Sequence, residues 1–420
     1  MSRTLLGAHR VDVPAGSLDA LTGIDRAAEV DPAQAGLSPA AVESVWEGVR
    51  GLYRSGAYPA ITFCLRRRGR IVLNRSLGHA YGRGPDEPPE TRARLAEPDT
   101  PMCLFSASKA VTAILVHKLA EEGGIDLDAR VSRYLPEFTG AGKQRTTIAQ
   151  VLSHRGGFPM FDIDRRRAGP ETLADWDECL RLICAAPAET GRPRMAYHAI
   201  TGGFILGELI RRVTGAPLTE YLDTRLRRPL GMRYFTFGLD GRSRLRVARN
   251  YAAGQPVRFP LSVVARRALT VGFEEVVDIS NRDLFMDAVV PAGNLYCTAE
   301  ELSRFYQMLA DDGVYAGRRI LQPATIRRAT RPANRLRYDH TLRIPMRYSE
   351  GLMLGANPVG LYGPMTGRAY GHLGFMNILG WADPAREVSA GLLVSGKAIL
   401  GGHLIALGRL LATISWRCRG

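Results

Sequence analysis

The chain has 420 residues, 45% hydrophobic and 23% charged, enough to bury a large core and, by length, two to three domain-sized units. Its longest apolar stretches, Ala110 to Val116 and Leu404 to Ile414, fall short of the ~20 residues a bilayer span requires, so no membrane span is expected. The net charge of +15 comes from arginines spread along the whole chain, without a stripe interleaved with aromatics, and no nucleic-acid partner is expected. Only Lys109, Lys118, Lys143 and Lys397 are lysine, which makes them conspicuous, because a lysine can lose its proton at working pH and an arginine cannot.

The N-terminal MSRTLLGAHRVDVPAGS is broken by His9, Arg10, Asp12 and Pro14 and does not read as a secretory signal, which points to a cytoplasmic address. An irregular arm (1–35) then leads into LSPAAVESVWEGVRGLYRSG, predicted helical with Ser38 as N-cap and Pro39 at the first position. ITFCL and IVLNRSL read as the two strands of a hairpin over 60–82, with RRRGR (Arg66–Arg70) as its solvated tip. Residues 83–100, rich in Pro, Gly and charge, read as a loop. SASKAVTAILVHKLAEEGG is apolar at Val111, Ile114, Leu115 and Leu119 with the helical period and is stopped by Gly123 and Gly124.

From about 140 to 290 the pattern is mostly helical, with TLADWDECLRLIC and TGGFILGELIRRVTG as the clearest segments. ILGWADP and VSAGLLVSG return to strand, and HLIALGRLLATIS closes the chain as a helix. Strand-rich ends around a helical middle predict an α/β (α+β) domain built from 36–140 and 290–420, with a mainly helical insert over 141–289. The six cysteines, Cys64, Cys103, Cys179, Cys184, Cys297 and Cys418, show no CxxC pairing and read as buried free thiols. The eight histidines lack HxxxH or HxH spacing, so no metal is expected.

Ser106-Ala-Ser-Lys109 opens the strongest helix. Positions i and i+3 share a helical face, so the hydroxyl and the amine come within hydrogen-bond reach. A serine hydroxyl is a weak nucleophile until an adjacent base takes its proton. The positive end of the helix dipole and burial both push the amine toward its neutral, base-competent form. The same helix start offers N–H groups to a developing oxyanion. Serine is also a favoured N-cap and lysine a common helix residue, so the pair gains its meaning from its surroundings.

FSASKAVTAILVHKLAEEGGIDLDARVSRYLPEF, with Asp128, Val131, Tyr134, Leu135 and Pro136 at its later positions, resembles the active-site block of the serine β-lactamase and penicillin-binding protein superfamily. Further blocks follow in the expected order: TTIAQVLSHRGGF around His154, RRPLGM at Pro229–Met232, and VPAGNLYCTAEELSRF at Pro291–Phe305. The resemblance covers roughly residues 40–400. It implies a β-lactamase-like fold, an antiparallel sheet flanked by helices with an inserted mainly helical domain, and serine acyl transfer without a cofactor.

By the same resemblance, Tyr197 in RMAYHAITGGFILGELI takes the place of the second base of class C β-lactamases and family VIII carboxylesterases, where a phenolate stabilised by lysine is one route for the serine proton. Whether Lys109 or Tyr197 is the base stays open at this stage. The Y-x-N of the lactamases is here Tyr197-His198-Ala199, and their K-T-G is His372-Leu373-Gly374, in YGHLGFMNILGWADP. The match implies an oxyanion hole from the Ser106 and Phe375 N–H groups, with His372, Gly374 and His198 lining the substrate site.

Without the asparagine and the lysine that hold a lactam's amide and carboxylate, a small ester, thioester or amide substrate is expected, an ester or thioester before a β-lactam. The leading expectation is a serine hydrolase of carboxylesterase type. The alternative is an acyltransferase that passes the acyl group to an alcohol or amine, for which an acidic acyl carrier or CoA thioester donor would suit the positive charge. A β-lactamase or D,D-peptidase, and a binding protein with a retired site, rank below these. The long stretch from Asp240 to Asp287 is expected to cover the acyl or alcohol pocket.

Overall fold

The computed structural model of the chain describes residues 9–85, 87–140, 142–160, 170–189, 194–257, 262 and 272–419. The strands that frame the site are β1 (Thr22–Ile24), β2 (Ala60–Arg67), β3 (Arg70–Tyr81), β4 (Arg94–Leu95), β5 (Met102–Cys103), β6 (Thr236–Phe237), β7 (Tyr251–Ala252), β8 (Leu295–Cys297), β9 (Met353–Leu354), β10 (Tyr370–Leu373), β11 (Leu379–Asp383), β12 (Val388–Val394) and β13 (Gly396–Lys397). The helices are α1 (Pro39–Tyr53), α2 (Ser108–Glu121), α3 (Ile148–Leu152), α4 (Trp176–Ala185), α5 (Thr201–Thr214), α6 (Phe273–Ser280), α7 (Ala299–Ala310) and α8 (Gly402–Arg417).

Local chemistry accounts for the helix ends. The Ser38 hydroxyl accepts the Ala41 N–H at 3.1 Å and Pro39 fills the first turn of α1, as predicted. TLADWDECLRLIC is split by Asp175, whose carboxylate caps α4 through the Glu178 N–H. Gly215, in the left-handed region at φ 70°, ends α5. Thr298 and Glu301 form a reciprocal capping box at the start of α7.

The main sheet is antiparallel and runs β1-β3-β2-β12-β11-β10-β9, with β4 added beside β3. Its centre joins the two ends of the chain: Leu65 on β2 faces Ala390 on β12. Both strands are buried along their whole length, because α7 covers one face of the sheet while α1, packed on α8, lies against β2 and β3. Gly380 and Gly391 let α7 approach closely, since a Cβ at either position would meet Leu302, Tyr306 or Ala299.

The basic run at the hairpin corrects one expectation. Its turn is made by Arg68 and Gly69, both at positive φ, but the run is not a solvated tip, because Arg66 and Arg67 are only 4% and 1% exposed. Strand β2 continues through both residues beneath α7 and the Asp383–Glu387 turn, and acids there neutralise the guanidinium groups. Arg66 donates to Ser303 Oγ at 3.0 Å and pairs with Glu300, while Arg67 pairs with Glu387 at 2.7 Å.

A second, three-stranded sheet, β5-β8-β6, leads into the segment that carries Ser106, and β7 pairs in parallel with β13. Two strands from the helical middle, β6 and β7, are thereby stitched to β8 and β13 from the C-terminal third. The six cysteines are free, all buried except the half-buried Cys184. Among the described residues no helix is long and apolar enough to cross a membrane.

Candidate active site

Strand β5 ends at Cys103, and the chain turns through Leu104 and Phe105 into a short 3-10 turn that carries Ser106, two residues before the start of α2. Phe105 is in the left-handed region at φ 47°, a conformation that costs a bulky residue on the order of 1–3 kcal/mol unless its surroundings impose it. Here they do. The Phe105 ring packs on Phe375 at a centroid distance of 5.3 Å, and Lys397 Nζ sits 4.9 Å from the ring centroid on its face. Gly374 lies so close to the turn that a Cβ there would stand 2.3 Å from the Leu104 carbonyl oxygen. Behind the turn, Ser108 Oγ accepts the Leu295 N–H at 3.0 Å and Thr112 donates to the Pro291 carbonyl at 2.6 Å, locking α2 to the 291–295 segment.

Lys109 is 7% exposed, and its Nζ donates to Ser106 Oγ at 3.1 Å and to the Ala292 carbonyl at 3.0 Å. Burial holds this amine well below its ordinary pKa of 10.5, which favours the neutral form with a free lone pair. The Ala292 carbonyl is in place because α5 packs directly on it: a Cβ at Gly203 would meet Ala292 Cβ at 2.6 Å and its nitrogen at 2.7 Å.

Tyr197 comes from the segment before α5. Lys109 Nζ lies 4.8 Å from its ring centroid, so the lysine and tyrosine predicted to work together do meet. Its hydroxyl is buried and makes no hydrogen bond of normal geometry, although the Ser106 side chain is near enough to temper its pKa. Burial dominates and raises that pKa well above the ordinary 10, with the Asp339 carboxylate adding to the rise. The phenolate that the family resemblance suggested is therefore disfavoured here, and the hydroxyl keeps its proton at working pH.

Three groups that the sequence reading did not single out hold Tyr197. Asp339, 0% exposed, accepts the N–H groups of Tyr197 (3.2 Å), Thr341 (2.9 Å) and Leu342 (2.8 Å), and the Tyr348 hydroxyl at 3.0 Å. Tyr348 and Tyr197 both pack against the His154 ring, each at 4.7 Å. His154, itself at φ 57°, accepts the His198 N–H on Nδ1 at 3.2 Å. His154 had surfaced only as a landmark in TTIAQVLSHRGGF. Asp339 lies 142 residues from Tyr197, with no local motif to announce it.

The remaining predicted residues divide into two groups. His372, on β10, stands 6.3 Å from the Tyr197 ring, and its Nδ1–H donates to the Leu373 carbonyl at 2.7 Å. That assignment leaves Nε2 as a buried, unpartnered acceptor. Burial, reinforced by Lys109, lowers its pKa to about 3, so the ring is neutral where lactamases carry a cationic lysine. Phe375 follows Gly374, and among the described residues no backbone carbonyl accepts its N–H.

His198 behaves differently. It is buried, lowered to about 3 by that burial, accepts the Phe158 N–H at 3.4 Å and packs edge-on against Phe158, so it braces the Tyr197 segment. Of the stretch expected to cover the pocket, 258–261 and 263–271 lie outside the described residues, and Phe273 of α6 reaches Phe375 at 5.3 Å.

The fold and this serine–lysine–tyrosine cluster define a serine acyl-transfer architecture, and the chain belongs to the Beta-lactamase family, whose model matches residues 40–406. It is 28% identical over 307 residues to the esterase/beta-lactamase LipL of Mycobacterium tuberculosis, covering 70% of this chain and 69% of that protein. Two solved structures, a penicillin-binding protein homologue from Caulobacter crescentus and a family VIII carboxylesterase, each match at 28% identity with a TM-score of 0.74. They cover 91% of this chain and, respectively, 99% and 98% of their own. The protein is an enzyme of the serine-hydrolase class on a β-lactamase-like fold.

Proposed function

We propose that the enzyme hydrolyses small carboxylic esters through an acyl-enzyme on Ser106. The observation that carries this reading is the 3.1 Å contact between Ser106 Oγ and a buried Lys109 amine, in a site where the lactamase lysine is replaced by the neutral His372. Ser106 Oγ attacks the acyl carbonyl while Lys109 Nζ takes its proton. The oxyanion forms against the Ser106 and Phe375 N–H groups, held in register by the contact of Gly374 with Leu104.

As the tetrahedral intermediate collapses, the leaving alkoxide receives a proton from the Tyr197 hydroxyl, which is replenished from the Lys109 ammonium. Water then reverses the sequence and releases the acid. The protonated state favoured for Tyr197 suits a relay role and leaves the base role to Lys109. A neutral His372 gives a lactam carboxylate no counter-charge, while the aromatic group of Phe105, Phe375 and Phe273 beside the oxyanion position suits an apolar acyl chain. An acyltransferase would share every step up to the acyl-enzyme and differ in the acceptor.

The test is turnover of a short p-nitrophenyl ester series beside nitrocefin, for wild type and Ser106→Ala. The expected result is ester cleavage that the substitution abolishes, with little nitrocefin hydrolysis. Folded protein that cleaves no ester, or cleaves esters equally well without Ser106, would overturn the reading.

A further inference from the structure

A second cavity, of about 620 Å³, opens between β3, β4, the 241–250 segment and the start of the 283–287 helix, and none of Ser106, Lys109, Tyr197 or His372 lines it. Its volume lies in the ~300–1,000 Å³ range of small-molecule sites. Positive charge gathers around it. Arg92 and Arg249 are exposed and have no acidic partner among the described residues. Arg94, half-buried, is braced by the carbonyls of Arg246 (3.0 Å) and Val247 (2.8 Å) and keeps its charge without an ion pair. The acid on the rim, Asp283, is engaged by Arg244 at 3.4 Å.

The lining also includes Tyr296, 1% exposed, whose hydroxyl is shut off from the cavity and lies close enough to the Cys103 thiol to engage it. The Cys103 thiol opposite it across the β5–β8 ladder spends its own hydrogen bond on the Gly293 carbonyl at 3.5 Å. The walls are a backbone-bonded frame: the Ala248 N–H donates to Pro101 and the Arg249 N–H to Ala80, at 3.0 and 2.9 Å. Tyr81, Val247 and Met286 add apolar surface beside the charges.

We propose that this cavity binds a small organic anion, a carboxylate or phosphate monoester on a compact apolar body, with Arg249 and Arg92 facing the acidic oxygens. The apolar walls take the body of the ligand, and the guanidinium forks match the paired oxygens of either acid. The site is separate from the acyl-transfer centre, yet Tyr296 lies four residues beyond Ala292, whose carbonyl holds Lys109.

Calorimetric titration of the full chain with phenylphosphonate and, separately, phenylacetate tests this, using wild type, Arg249→Gln, Arg92→Gln and Ser106→Ala. At low salt, saturable one-to-one binding of at least one probe is expected, and the tighter probe tells which acid the site prefers. Arg249→Gln weakens it about tenfold, as loss of a charge-assisted bond does, and Arg92→Gln by a similar factor, while Ser106→Ala leaves it unchanged. Arg249 and Arg92 are both exposed, so their substitution spares the fold and the readout decides. Absence of saturable binding for both probes, a Kd that Arg249→Gln does not move, or binding lost with Ser106 would overturn the proposal.

Discussion

Two buried lysines adjoin the turn that carries Ser106, and only one of them touches the serine hydroxyl. Lys109 reaches Ser106 Oγ at 3.1 Å, whereas Lys397 lies over the face of the Phe105 ring and donates to the Val394 carbonyl at 2.6 Å. Burial lowers both, Lys397 to about 7, so loss of charge alone does not distinguish them. What distinguishes them is the neighbour: a hydroxyl able to give up a proton in one case, a ring face and a carbonyl in the other. The charge state of an amine is set by desolvation, and its chemistry by what it touches.

The comparison breaks most sharply at Lys109. Lys109→Met is expected to lower kcat/KM for a p-nitrophenyl ester by about 10³-fold or more, in the upper part of what a general base contributes. Lys109→Arg should be as inactive, because a guanidinium does not release its proton. In the wild type, lowering the pH protonates Lys109 and activity falls. Because burial has depressed its pKa, that fall comes well below the 10.5 of an ordinary lysine, leaving a plateau on the alkaline side. Steady-state rates across pH check both points, and a Lys109→Met enzyme retaining a tenth of wild-type activity would remove the lysine from the base role.

Tyr197→Phe is the next largest effect. It keeps the packing on His154 and the cation–π contact with Lys109 but removes the proton relay, so kcat should fall about 10²-fold with KM little changed. A fall confined to KM would instead make the hydroxyl a substrate contact.

These two residues also show what could be read from the sequence. Ser106 and Lys109 are three positions apart on one helix, so their meeting follows from helical geometry, and the Ser38 cap and the hairpin were legible for the same local reason. Tyr197 was reachable only through the family resemblance, because nothing local ties it to Ser106. Asp339 and Tyr348, which hold it, were not reachable at all: their contacts, Asp339 with Tyr197 and Tyr348 with the His154 ring, span 142 and 194 residues of chain. The burial of Arg66 and Arg67 was missed because their acids, Glu300 and Glu387, lie 234 and 320 residues away. Charge in a short window says a surface is wet only while no distant partner covers it.

The smallest effect on rate, and the one that sharpens the comparison most, is expected at Lys397→Met. Kcat should stay within about twofold of wild type, since no proton in the reaction is within reach of this amine. Stability should change in a way that depends on pH. Between about 7, the folded value, and 10.5, the value of a free lysine, the unfolded chain holds a proton that the folded chain does not. Stability therefore rises with pH through that window, by up to about 1.4 kcal/mol per pH unit, and has no such slope below it. Methionine removes the titration while filling a similar volume, so the variant should be the more stable protein at pH 6 and lose that advantage toward pH 9. Lys109 adds a slope of the same sign to both proteins and cancels in the difference. Urea unfolding of the two proteins across that range measures it. Parallel curves would mean that Lys397 keeps its proton state through folding, and a hundredfold loss of kcat would make it part of the machinery that positions Ser106.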